Sequence, residues 1–474
     1  MMQTSSIPGP TLRQAPSYAY RLARDPFKLL LEVRQEYGDV VSMERLGVPR
    51  TYFVASPDGV KRIFFENNRN YVRGSNFRNV EKVVGYGIVV SEGDFWRRQR
   101  KQVQPALAAS VISTQVDAMG EVVESMLRRW SAEAVHQDWV DIAAEMRDVT
   151  RRVALKIMLG IDLERETKDI SETWEAMYDA LTEFTTNPWK IPLSIPTPWN
   201  RRFLRTIDQL NRRVYGTIGE HRRSPDAPGD LVRDLLAARD PVTGKPMTER
   251  QLRDELVTVV SAGFDTAAVT LGWTWYLLSQ NPWAEQRIAE EVRQVIGDRR
   301  PTAEDLPKLT YTKLVLQESM RLYPAAWVLT RTSVSDDEIG GYKIPGNSMV
   351  ITSAYVTHRH PDHWENPSVF DPERFTRERS ANRSRFAFFP FGDGPRKCPG
   401  EHFALAEMMS VIAMVSQRYR LNMKPDHPIA LEPSFTMRAR HGLLMRLEPK
   451  RPAAASVAAQ GASPSGAIAQ GMGQ

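Results

Sequence analysis

The 474-residue chain holds one cysteine, Cys398, inside Phe391-Gly392-Asp393-Gly394-Pro395-Arg396-Lys397-Cys398-Pro399-Gly400. That constrains the fold at once. No intrachain disulfide can staple it, so stability must come from a buried core, and 42% hydrophobic residues are enough to build one. The thiol also sits where chemistry is favoured. Arg396 and Lys397 lie beside it, and the helical pattern Glu401-His402-Phe403-Ala404-Leu405-Ala406-Glu407-Met408 follows, with its positive end toward the sulfur. Such surroundings lower a thiol pKa and favour the thiolate, the form that ligates metals and acts as a nucleophile. Pro399 suits a first helical position, and Gly394 and Gly400 let the backbone turn tightly and pass close to a flat, bulky group. Single cysteines are also common as inert core residues, so these residues alone leave both readings open.

The spacing Phe391-x-x-Gly394-x-Arg396-x-Cys398-x-Gly400 resembles the haem-binding loop of the cytochrome P450 family. The resemblance implies a mainly α fold with a smaller β region and haem b (iron protoporphyrin IX) as cofactor. It implies Cys398 as the iron ligand, Arg396 paired with a haem propionate, Phe391 packed beside the sulfur and Gly400 closing the loop. Trp96-Arg97-Arg98-Gln99-Arg100, after Gly93-Asp94-Phe95, resembles the family segment in which Trp96 and Arg100 contact a propionate. Arg331 matches the other common propionate arginine, whose forked guanidinium suits a carboxylate.

Thr248-Glu249-Arg250-Gln251 has a capping-box pattern and opens a long helix ending at Asn281-Pro282. From Leu256 to Leu278 it is apolar nearly all round, which predicts burial. The charge of Asp265 at its centre weighs against a membrane span. Ala262-Gly263-Phe264-Asp265-Thr266 resembles the family's oxygen-activation motif, with Asp265 and Thr266 as the proton-relay pair and Gly263 allowing a local distortion. The plainer reading is that Thr266 bonds back to a helical carbonyl. Glu318 and Arg321, three apart on one helical face, and Arg374 in Asp371-Pro372-Glu373-Arg374-Phe375 resemble the family's structural ion-pair set, which would lock the side of the fold behind the cysteine loop.

Strand patterns at Tyr37–Glu44 and Thr51–Ala55 predict a hairpin turning at Gly47 and Pro49, with further β regions through Ile339–Ile351 and near Ile429–Leu447. Between about 58 and 325 the periodicity is mostly helical, and Pro188–Pro198 interrupts it as a loop over the pocket. The expected organisation is an N-terminal extension (1–19), one haem-binding domain (20–450) and a low-complexity tail (451–474) rich in Ala, Gly, Ser and Gln.

The resemblance implies a haem-thiolate monooxygenase. It would insert one atom of dioxygen into an apolar substrate (terpenoid, fatty acyl or polyketide-like) and belong to secondary metabolism. A peroxide-driven oxidase or isomerase and a non-catalytic haem protein are the alternatives, and the Asp265-Thr266 pair speaks against both. The resemblance places the substrate pocket at Ala262, Phe264, Ala326, Trp327, Val328, Leu329, Phe435 and Thr436. No flavin, nicotinamide or iron–sulfur segment occurs, so electrons are expected from a separate ferredoxin or flavodoxin. Net charge +6 and pI about 9.3 fit an acidic partner better than nucleic acid, since no basic-aromatic array supports the latter. The N-terminal stretch has no sustained apolar run, so neither a signal peptide nor a transmembrane anchor is expected, and the location expected is cytoplasmic. His358, His360 and His363 are expected to be an ordinary connector rather than a zinc site. Gly85-x-Gly87 does not continue as a dinucleotide fingerprint.

Overall fold

In the computed structural model, which describes residues 6–43, 50–74, 77–133, 138–161, 168–186, 191–224 and 230–450, the long apolar stretch is one helix, Glu249–Gln280. Thr248 accepts a hydrogen bond from the Gln251 N–H, and the Gln251 side chain accepts one from the Thr248 N–H, so the predicted box is formed. Helices Ile142–Leu159, Pro198–Arg223, Thr310–Leu322 and Glu401–Arg418 pack around it. That all-round packing is why the helix is apolar on every face. Among the described helices it alone is long and apolar enough to cross a membrane, and 78% of that window is buried inside the fold.

The main sheet collects strands from distant parts of the chain, in the order Val40–Ser42, Thr51–Val54, Met349–Thr352, Leu329–Ser333, Tyr71–Val72. The first two pair antiparallel with Val40 opposite Val54, as the hairpin pattern requires, while Thr51–Val54 runs parallel to Met349–Thr352. The hairpin's turn at Gly47 and Pro49 lies outside the described residues, as do 188–190 of the Pro188–Pro198 loop and the whole 451–474 tail. Smaller sheets join Leu444–Pro449 to Tyr419–Met423 and Val140–Asp141, and Leu431–Pro433 to Met437–Ala439. One hydrophobic cluster surrounds the long helix, and two smaller ones lie against the main sheet.

The boundary expected at residue 19 is not a structural one. Helix Ala15–Arg24 runs through it and buries Tyr18, whose hydroxyl donates to Glu36. Further upstream the Pro8 carbonyl accepts from the Ser42 N–H, which joins the N-terminal segment to the edge of the sheet. A composition-based boundary misses such contacts because they are made one residue at a time.

Candidate active site

The cysteine loop is a tight cradle. Gly394 has φ +70°, and a Cβ there would lie 1.8 Å from the Phe64 carbonyl oxygen, so only glycine fits. The Cys398 N–H donates to the Phe391 carbonyl at 2.9 Å, which holds the two motif residues side by side. Helix Glu401–Arg418 starts later than the proline pattern suggested, with Gly400 as its cap. Cys398 faces a cavity that Phe391, Gly392, Arg396, Pro399 and Gly400 also line.

The electrostatics at the sulfur differ from the sequence expectation. Cys398 opens onto the cavity, yet desolvation by the surrounding protein pushes its thiol up, while the Gly400 N–H, Arg100 and Lys397 all favour the thiolate. Arg396 turns away to Glu92, and Lys397 pairs with Glu401 at 2.5 Å. Desolvation therefore outweighs the neighbouring charges. A bound metal ion reverses the balance, because a coordinating thiol is deprotonated outright.

On one side of the cavity three guanidinium groups converge. Arg396 donates to the Ser91 carbonyl at 2.9 Å and to Glu92 at 2.5 Å, and stacks 4.2 Å over the Trp96 ring. Arg331, on strand Leu329–Ser333, packs 5.0 Å over Phe64, and Arg73 packs 4.4 Å over Phe77. Burial and mutual repulsion push Arg331 down to about 10 and hold Arg73 well below the ordinary arginine value. Arg73 Nε and Arg396 Nη1 are buried with no hydrogen-bond partner among the described residues. Buried donors facing an excess of positive charge fit a group that brings two carboxylates, as haem does, and the thiol in the same cavity fits its iron. Arg73 and Glu92 escaped the sequence reading because no motif spacing marks them. Trp96, Arg100, Arg331, Phe391, Arg396, Cys398 and Gly400 all line the cavity.

The opposite wall is the long helix, from which Thr258, Val259, Ala262, Gly263, Thr266, Ala267 and Thr270 face inward. At about 100° per residue these positions recur every three to four residues along one face, and Phe264 and Asp265 fall outside it. Phe264 therefore points away and packs 5.5 Å from Tyr178. Asp265 is also turned from the cavity. It accepts from Tyr178 at 2.5 Å, Thr436 at 2.6 Å and Arg438 at 2.6 Å, which tie the helix to strand Met437–Ala439 and helix Lys168–Thr186. Thr266 lines the cavity and its hydroxyl donates back to the Ala262 carbonyl at 3.0 Å, and the helix runs on through Gly263. Of the other expected pocket residues, Ala262, Ala326 and Leu329 line the cavity. Trp327 is buried against Phe27 with its indole N–H on the Ser434 carbonyl, Val328 packs into a cluster beside the sheet, Phe435 is 42% exposed and Thr436 is bound to Asp265.

Behind the cysteine loop, Glu318 accepts from Arg321 Nε at 2.7 Å and from Arg374 Nε at 3.1 Å, with all three side chains buried. The histidines next in the chain serve packing and hydrogen bonding. His358 accepts from the Phe389 N–H, and His360 bonds Asp39 and Arg34.

The family model for cytochrome P450 matches residues 7–446. Cyclooctatin synthase of Streptomyces melanosporofaciens is 32% identical over 89% of this chain and 91% of its own length. Cyclooctat-9-en-7-ol 5-monooxygenase of the same organism is 33% identical over 85% and 87%. Pentalenene oxygenase of Streptomyces avermitilis is 28% identical over 92% and 95%. Among solved structures, a cytochrome P450DA haem domain shares the fold at a TM-score of 0.85, with 23% identity over 95% of this chain and 99% of that one. The chain belongs to the cytochrome P450 family, as a bacterial-type monooxygenase whose cofactor is haem b.

Proposed function

We propose that this monooxygenase oxidises a terpenoid, with electrons from a small acidic ferredoxin or flavodoxin. The observation that carries the substrate class is the apolar wall of Ile88, Val89, Leu107, Val259, Ala262 and Leu329, in a chain whose relatives are named for cyclooctat-9-en-7-ol and pentalenene. Such a wall binds by exclusion of water, while the arginines of the same cavity are those that would hold the haem propionates.

Bound haem supplies dioxygen activation, helped by electron donation from the thiolate. The protein's own contributions follow from its residues. Cys398 would ligate the iron, while Arg73, Arg331, Arg396 and Trp96 would hold the propionates. Thr266, alone of the relay pair at the cavity wall, would hold a water and pass its proton. Its hydroxyl hydrogen is shared with the Ala262 carbonyl, and its lone pairs remain free to accept from water. Asp265 would act through the helix, fixing the rotation that aims Thr266 inward.

The test is a Soret-shift titration of the holoenzyme with terpenoids, fatty acids and polyketide-like compounds, followed by product analysis with a surrogate ferredoxin. Terpenoids should give the shift and products one oxygen heavier, whereas a response confined to fatty acids would overturn the assignment. Thr266→Ala should keep substrate binding yet divert electrons to hydrogen peroxide, since losing a positioned proton-transfer group slows such a step ~10²–10⁴-fold. Unchanged coupling would leave Thr266 as packing.

A further inference from the structure

The Gly85-x-Gly87 pair is explained by what it touches. Residues 85–91 connect helices Phe77–Val84 and Gly93–Val103, and Ile88 and Val89 in this turn line the cavity. The turn lies directly on the long helix. Gly85 has φ +80°, and a Cβ there would sit 2.0 Å from Asp254 Oδ1. A Cβ on Gly87 would sit 2.2 Å from Thr258 Oγ1 and 2.7 Å from the Asp254 carbonyl oxygen. Across this contact Asp254 accepts from the Tyr86 N–H at 2.9 Å, and Glu255 accepts from the Ile88 N–H at 3.1 Å. Arg253 holds Asp254 at 2.9 Å and gives its other N–H groups to Asn211 and the Val83 carbonyl. From the other side Gln99 donates to the Tyr86 carbonyl and accepts from Ser91, and Arg396 donates to the Ser91 carbonyl.

The attachment is made where the loop meets the cavity. Glu255 holds the backbone of Ile88, a wall residue, and Thr258 both faces Gly87 and lines the cavity itself. A shift of the loop would therefore carry two apolar wall side chains with it. Burial raises the Glu255 carboxyl to about 8 against the opposing pull of the Ile88 N–H, with a smaller push upward from Asp254.

We propose that Asp254 and Glu255 are positioning residues that clasp the Gly85-x-Gly87 turn, and that this clasp helps set which molecules the cavity admits. The inference rests on reading this cavity as the substrate site, and not on the substrate being a terpenoid. Holoenzymes carrying Gly87→Ala, Glu255→Ala or Glu255→Gln would be titrated with imidazole and with phenyl- and biphenyl-substituted imidazoles. These probes ligate haem iron and extend to different depths, and binding is read from the Soret band. Gly87→Ala and Glu255→Ala should keep the reduced carbon monoxide band and the imidazole Kd, while the Kd of the bulky probes changes about tenfold, the effect of one lost hydrogen bond. Glu255→Gln should keep the native order of affinities, because its amide oxygen still accepts from the Ile88 N–H. An unchanged order in Glu255→Ala, or equal weakening of small and bulky probes, would overturn the proposal. If Gly87→Ala yields no holoenzyme, the two Glu255 variants decide alone. Because imidazoles report cavity shape, failure of the terpenoid assignment would leave this result standing.

Discussion

Two groups of arginines in this molecule, one fully buried and one partly buried, look alike by composition and are opposite in design. Around Glu318, Arg321 donates to both carboxylate oxygens and to the carbonyls of His358, Pro367 and Val369. Arg374 adds bonds to Glu318 and to the carbonyls of Glu365 and Val369, and the Asp371 N–H completes the set. Beside the cysteine loop, Arg73, Arg331 and Arg396 gather around one carboxylate, Glu92, with buried donors left over. The first group is complete within the protein and acts as a brace. The second carries a local excess of positive charge that the protein does not neutralise, and such an excess is what a site for a dianionic group requires.

The comparison can be broken most directly at Glu318. Glu318→Ala strands two buried guanidinium groups and should destabilise the fold by about 3–5 kcal/mol with or without haem, measured by chemical denaturation. A loss confined to the holoenzyme would place Glu318 in cofactor binding instead. Arg396→Ala should do the reverse. Transfer of haem to an acceptor protein should speed up ~10–100-fold, as expected for one or two charge-assisted hydrogen bonds, with no loss of apoprotein stability. An apoprotein as damaged as by Glu318→Ala would erase the distinction. Glu92→Gln sharpens it further. Removing the only described carboxylate of the cluster should cost the apoprotein about 1–3 kcal/mol and the holoenzyme less, because propionates replace the missing charge.

The smallest effect belongs to arginines that are neither braced nor waiting. Arg97 and Arg98 lie on the surface of helix Gly93–Val103, already paired with Asp94 at 3.2 Å and Asp240 at 3.1 Å. Reversing Arg98 and Lys101 to glutamate should slow electron transfer from an acidic ferredoxin only a few-fold, and only below the ionic strength at which screening reaches ~8–10 Å. Equal rates across a salt titration would remove this patch from partner docking.

These contrasts also separate what the chain discloses locally from what folding decides. The cysteine loop, the capped long helix and the haem cofactor were legible because each is written in short-range spacing: Gly394 before a cysteine, Thr248 before Gln251, an unbroken apolar run. The same reading named Glu318, Arg321 and Arg374, but it could not have seen that backbone carbonyls satisfy nearly every remaining donor. Arg73 and Glu92 carried no signal at all, since an arginine after a two-residue strand resembles any surface arginine until the sheet brings it beside Arg331 and Arg396. Helix rotation turned Phe264 and Asp265 away from the cavity, and packing against the N-terminal helices took Trp327 out of it. The thiol environment, expected to be acidifying, also carries a desolvation that pushes the thiol up. Motif, period and cap are properties of neighbouring residues, and the sequence determines them by itself. Burial, helix phase and the balance of charge are properties of what packs against what, so only the tertiary structure could decide them.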